Sequence, residues 1–234
     1  MANLFKDKLK RDEVVVVLNP DHPSPSLTEF VAGLGFDGVF IDCEHGVATV
    51  EGVQDMCRAA RAAGVQSIVR PECGAPFLIT RYLDAGAGGI MVPHVETAAA
   101  ARQIVETVRY ARPTDYDDKV IVAMIESVTA IANLPELLNV EGIDVFFIGP
   151  NDLSHSMGYA AQMHHPEVKA MVKKASASIR GAGRTPGTLV IGQTVAEFVA
   201  AGCRFLYEHA NSFLVAGASD FKRRVAESGA GGLA

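Results

Sequence analysis

Eight apolar runs of strand length, separated by helix-like segments, constrain this chain more than any other feature. They fall at 14–18, 38–42, 66–70, 89–93, 120–125, 143–148, 187–191 and 203–207. The runs are continuous rather than alternating. A strand wetted on one face alternates polar and apolar residues; a parallel strand covered by helices on both faces does not. Between the runs, segment 49–63 carries Val50, Val53, Met56, Cys57 and Ala60 near the helical period. Segments 96–110 and 166–182 behave similarly. Gly64, Gly86, Gly183 and Gly202 each follow an alanine where a helix should stop. Eight β-α units with no linker predict one closed (β/α)8 TIM barrel, a single domain over 1–234. The alternative, a doubly wound open sheet, would have to hold eight parallel strands without closing. A last helix is expected over 212–227, with Phe213, Leu214, Ala218, Phe221 and Val225 along one side. The glycine-rich tail 229–234 is expected to fray.

Composition narrows the class. The chain has 234 residues, 49% of them hydrophobic, which is enough for one large core. A net charge of -6, with no basic run interleaved with aromatics, argues against nucleic acid. Cys43, Cys57, Cys73 and Cys203 form no CxxC pair and suit buried thiols in a reducing compartment. No apolar stretch reaches the ~18 residues a membrane span needs, and residues 1–8 contain no signal core. A soluble cytoplasmic protein is expected.

Chemistry collects at the ends of the apolar runs. Glu126 closes 120–125, and Asp152 follows 145–151. One acid after a strand is often a helix N-cap. Two at neighbouring strand ends of one barrel make a hard-oxygen site for Mg²⁺, Mn²⁺ or Co²⁺, with positions left for water and a bidentate substrate. No HExxH or cysteine-rich cluster suggests a zinc site of the usual kind. His45 lies three residues after Asp42 and one after Glu44. A carboxylate on one ring nitrogen would fix its tautomer and leave the other for proton transfer. His22, His94, His155, His164, His165 and His209 lack that setting, although His94 follows another strand end and ranks second. Arg70 ends an apolar strand and needs an anion. It could pair with Asp42, Glu44 or Glu126, or stabilise an oxyanion beside the metal, at different stages of one cycle. Segment 149–154 could offer backbone N–H groups to a carboxylate, or be only a tight turn. Asp84, late in a helix, reads as a solvated helix-end acid.

Several stretches resemble the HpcH/HpaI aldolase family, the class II pyruvate aldolases. They are 35–46 with Ile41-Asp42-Cys43-Glu44-His45-Gly46, then Val69-Arg70-Pro71, 83–97, Ile125-Glu126-Ser127 and 140–154. The resemblance implies a metal-dependent aldolase that adds the enolate of pyruvate or hydroxypyruvate to an aldehyde. It implies a divalent metal on Glu126 and Asp152, and Arg70 on the keto oxygen and enolate. His45 would be the base, with Asp42 and Glu44 nearby and Asp84 reaching it from a neighbouring subunit. The backbone at Asn151 and Asp152 would hold the pyruvate carboxylate. A homohexamer, a trimer of dimers with the last helix exchanged between protomers, is implied as well.

Three departures from the family pattern fall on the acceptor side. Segment 111–119 is short and lacks a Gly-x-Arg-Gly motif, Met124 stands where glutamine is frequent, and Leu206-Tyr207-Glu208-His209-Ala210 replaces a small Gly-Ser-Asp-like stretch. The competing functions are a citrate-lyase-type or other carbon–carbon lyase, an oxaloacetate decarboxylase, and a non-catalytic 2-oxo-acid binding barrel. No lysine follows the pocket strands, so a Schiff-base route is not expected.

Overall fold

The computed structural model describes residues 4–228. The expected tail at 229–234 lies outside the described residues. The eight strands are β1 Val15–Asn19, β2 Gly38–Asp42, β3 Gln66–Arg70, β4 Gly89–Val92, β5 Val120–Ile125, β6 Val145–Ile148, β7 Pro186–Leu189 and β8 Phe205–His209. All pair in parallel in sequence order, and β8 returns to β1 through five residue pairs from Val15↔Phe205 to Asn19↔His209. The barrel is closed, so the open-sheet alternative is excluded.

Helix α1, Leu4–Lys10, precedes the barrel. The others follow strands: α2 Pro25–Ala32, α3 Val50–Ala62, α4 Pro76–Asp84, α5 Ala98–Ala111, α6 Val128–Ala132, α7 Leu134–Leu137, α8 Pro150–Ser156, α9 Pro166–Gly181, α10 Val195–Ala200 and α11 Ala210–Glu227. Thr49, Thr97 and Ser127 cap α3, α5 and α6 by accepting an N–H of the first turn, which satisfies donors that a helix start leaves free.

Strand parity decides which side chains reach the barrel axis. In β5, Val120, Val122 and Met124 join the inner cluster, while Ile121, Ala123 and Ile125 pack under the helices. Glu126 continues the inner set. By the same rule Phe40 leads to Asp42, Ile68 to Arg70, Val17 to Asn19, and Tyr207 to His209. One arithmetic therefore aims five polar side chains at the mouth formed by the strands' carboxyl ends.

The axis below them is filled by rings. Phe5 of α1 plugs the opposite end and meets Phe205 edge-on at 6.1 Å. Phe205 meets Phe147 at 6.2 Å, Phe147 meets Tyr207 at 6.1 Å, and Tyr207 meets Phe40 at 4.7 Å. This apolar column fills the barrel beneath the polar mouth.

Five strands differ from the apolar runs: β1 is shifted by one residue, β4 stops one residue early at Val92, and β6, β7 and β8 differ more. β6 begins at Val145, because the Asp144 carboxylate turns back to accept the Ile121 N–H at 2.8 Å and to meet Lys6 at 3.2 Å. β7 begins at Pro186, a first-residue position where a missing donor costs little, and ends at Leu189. β8 begins at Phe205 and runs past its apolar stretch, because Leu18 and Asn19 continue to pair with Glu208 and His209.

Candidate active site

A cavity of about 400 Å³ opens at the barrel mouth and is bordered by Asp42, His45, Arg70, Glu126, Asn151 and Asp152. The sequence-derived site residues thus meet in one place, Glu44 through its pairing with Arg70, with one exception, Asp84, treated below.

Glu126 is 2% exposed at the end of β5. Its Oε1 accepts the His94 N–H at 2.6 Å and lies 3.1 Å from His94 Nδ1. Its Oε2 is buried without a hydrogen-bond partner. Burial pushes this carboxyl up to about 7; His94 opposes that, while the negative charges of Asp152 and Glu44 add to it. Gly149 makes the room: a Cβ there would sit 2.7 Å from Glu126 Oε2. A buried, orphaned carboxylate oxygen beside a second carboxylate is the donor set a divalent cation satisfies. Among the described residues no group of three or more His, Cys, Asp and Glu side chains forms a cation cage. Glu126 and Asp152 border the same cavity, and these two carboxylates would hold such an ion with the other positions left to substrate and water.

The raised carboxyl gives stability a sign. Glu126 titrates near 4.5 when unfolded and about 7 when folded, so the folded state holds the extra proton between those values. Metal-free protein is expected to lose on the order of 3 kcal/mol of stability as pH rises through that window. Urea unfolding of chelator-treated protein at about pH 5 and about pH 8 measures it. Glu126→Gln should flatten the dependence; an equal loss in that variant would assign it elsewhere.

Arg70, 9% exposed, is clamped by acids. It donates from Nε to Asp42 Oδ1 at 2.9 Å and from Nη2 to Asp42 Oδ2 at 2.6 Å. Nη1 approaches Glu44 Oε2 at 2.9 Å outside hydrogen-bond alignment, and that oxygen has no hydrogen bond. Burial alone would raise Asp42, but Arg70 and the N–H groups of His45 and Glu44 hold it below the usual carboxylate range. Asp42 therefore orients Arg70 and the 43–45 turn rather than the His45 ring. That ring is 65% exposed, and its Nε2 lies 3.9 Å from Glu44 Oε2.

The carboxylate settings of the histidines differ from those expected. His94 has the carboxylate setting expected only of His45: Nδ1 lies 3.1 Å from Glu126, and Nε2 lies 3.3 Å from Glu44. Its backbone takes a φ of 54°, which the chain holds where Val95 N–H donates to the Met124 carbonyl. His209 also has a carboxylate, Asp21, with Nδ1 2.5 Å from Oδ1. Asp21 comes from the β1–α2 loop, so spacing along the chain gave no sign of it.

Asp84 does not join its own chain's site. It ends α4, which runs back from the mouth, and there it is 64% exposed and 3.8 Å from Arg112 Nη1. Segment 111–119, expected to border the site, lies at that same far end. Arg112 pairs with both oxygens of Asp115 at 2.8 Å, and Lys119 lies 3.2 Å from Asp115. Asp84, Arg112, Asp115 and Lys119 border a separate cavity of about 470 Å³.

Residues 19–220 match the HpcH/HpaI aldolase/citrate lyase family. The chain is 32% identical to the 2-keto-3-deoxy-L-rhamnonate aldolase of Escherichia coli K12, covering 99% of this chain and 96% of that one. That alignment spans 256 residues against the chain's own 234, so the relative carries stretches this chain lacks. Among solved structures, a family protein from Burkholderia cenocepacia J2315 superposes with a TM-score of 0.88 at 26% identity, covering 96% of this chain and all of the other (100%). The citrate synthase SbnG superposes with a TM-score of 0.87 at 27% identity, covering 97% and 98%. The chain belongs to the HpcH/HpaI aldolase/citrate lyase family and is an aldolase-type lyase.

Proposed function

We propose that this enzyme adds the enolate of pyruvate or hydroxypyruvate to an aldehyde, and cleaves 4-hydroxy-2-oxo acids in reverse, with the help of a divalent metal. The observation that carries this reading is the orphaned Oε2 of buried Glu126, placed in the same cavity as Asp152 and Arg70. A Mg²⁺, Mn²⁺ or Co²⁺ ion held by Glu126 and Asp152 would supply Lewis-acid polarisation of the 2-oxo acid.

The chain's own residues have separable tasks. Arg70 binds the keto oxygen and stabilises the charge that develops on it, and Asp42 and Glu44 fix its guanidinium. His45, exposed at the rim, exchanges the C3 proton through water. The N–H groups of Asn151 and Asp152 precede the first bond of α8, donated by Leu153 N–H to the Gly149 carbonyl at 3.1 Å, and take the pyruvate carboxylate. Release of pyruvate from a 4-hydroxy-2-oxo acid tests the reading. Pyruvate formed from oxaloacetate but from no hydroxy-oxo acid would favour a decarboxylase, and binding without turnover would favour a binding barrel.

Assembly completes the site in this reading. Asp84 cannot serve its own barrel, so it acts on a neighbour's His45. Helix α11 supports the exchange of this element between protomers: only Ala210 of its 18 residues is buried. Phe213, Leu214, Val215 and Phe221 are 53 to 66% exposed, an apolar face too large to leave in water. The proposed assembly is the one the family resemblance implies, a homohexamer of shared sites built as a trimer of dimers. The free cysteines suit a cytoplasmic setting, and no helix among the described residues is long and apolar enough to cross a membrane. Mixing Asp84→Ala with His45→Ala subunits is expected to recover activity that neither shows alone. A fully active monomer by light scattering would refute shared sites.

A further inference from the structure

A second histidine–carboxylate pair stands at the barrel mouth, on β8 and the loop after β1, across the barrel from Glu126 on β5. Asp21 sits in the left-handed backbone region at φ 63°, which an aspartate adopts at some cost. Its N–H donates to Asn19 Oδ1 at 2.8 Å, and its Oδ2 accepts the Asn211 N–H at 2.7 Å. Oδ1 is left for His209 Nδ1, at 2.5 Å. An ionised carboxylate only accepts, so the neutral ring carries its proton on Nδ1 and presents a bare Nε2. Tyr207 packs edge-on to the ring at 4.9 Å, and Asn19 Nδ2 donates to the Tyr207 hydroxyl at 2.9 Å. The imidazole is thus fixed in tautomer and in orientation.

Tying β8 to α11 does not account for this construction. Glu208 already does that, accepting the His209 N–H at 2.8 Å and the Ser212 hydroxyl at 3.0 Å. Nε2 of His209 has no protein partner among the described residues, and the ring borders both the cavity of Arg70 and Glu126 and a neighbouring cavity of about 170 Å³ beside His45. The 2-oxo acid end of a substrate is claimed by Arg70, Glu126 and Asp152. His209 borders the same cavity and is open to the remaining half of such a substrate. A lone acceptor backed by a carboxylate suits a hydroxyl donor and repels an anion.

We infer that His209, oriented by Asp21, determines acceptor specificity by receiving a hydrogen bond from a hydroxyl on the aldehyde half of the substrate. The inference rests on the aldolase reading above. Asp21 is a positioning residue: its carboxylate holds Nδ1 and so fixes the orientation of the ring and, in the neutral form, its tautomer.

The test is the ratio of kcat/KM for glyceraldehyde over propanal in pyruvate addition. His209→Phe is expected to lower that ratio about tenfold, chiefly through the glyceraldehyde KM, the size expected for one partly exposed hydrogen bond. Asp21→Ala should lower it too, because the ring loses the partner that holds its orientation; it carries the test alone if His209→Phe does not fold. A purely structural pair would slow both aldehydes equally, and an unchanged ratio overturns the inference while leaving the aldolase reading intact. Wild-type protein inert towards both aldehydes overturns the two together.

Discussion

Glu126→Gln is expected to reduce pyruvate proton exchange and aldol cleavage roughly 10³-fold or more, the scale of the several kcal/mol a metal supplies to a polarised carbonyl. The amide keeps the size of the side chain and its contact with the His94 N–H. It removes the charge that makes the orphaned Oε2 a cation ligand. Stability should not suffer: a neutral amide spares the protein a buried charge that already resists ionisation below about 7. Loss of activity with retained or raised Tm is the signature. Chelation of wild-type protein should reproduce it, and Mn²⁺, Co²⁺ or Mg²⁺ should reverse it in the wild type only. A Glu126→Gln enzyme of ordinary activity would remove the carboxylate from the chemistry.

Arg70→Ala is expected to fail differently, losing both activity and stability. Removing one donor from a developing oxyanion costs about 10²–10³ in rate. The same deletion strands Asp42 and Glu44, whose side chains are only 10 and 12% exposed. Breaking a buried ion pair by removing one partner costs on the order of 3–5 kcal/mol. Arg70→Lys separates the two losses. A lysine keeps a positive charge for the acids but not the planar fork that meets both oxygens of Asp42. Tm should therefore recover largely, and turnover should not. Parallel recovery of both would mean that Arg70 only holds the mouth together.

The barrel was legible in the sequence because its strands are buried on both faces. β5 reads as an unbroken apolar run since its odd and even residues serve two different cores. Glu126 and Arg70 were legible for the same reason, since an acid or arginine ending such a run continues the inward parity. What stayed hidden was set by distant partners. His209 follows the apolar end of β8 and gains its carboxylate from a loop 188 positions away in sequence. His94 gains Glu126 from 32 positions away. Asp84 and segment 111–119 are near the motifs in sequence but lie at the other end of the barrel, because each α-helix carries the chain back from the mouth.

Deuterium exchange at the methyl group of pyruvate, followed by NMR with no aldehyde present, tests the central claim most directly. It reads enolate formation alone, ahead of any question of acceptor, assembly or stereochemistry. Wild-type protein stripped by a chelator should show exchange at the solvent rate, and added Mn²⁺ should raise it, in proportion to the occupied sites. Exchange at full rate in the stripped protein, or none with metal restored, would contradict a metal-assisted enolate at Glu126, Asp152 and Arg70.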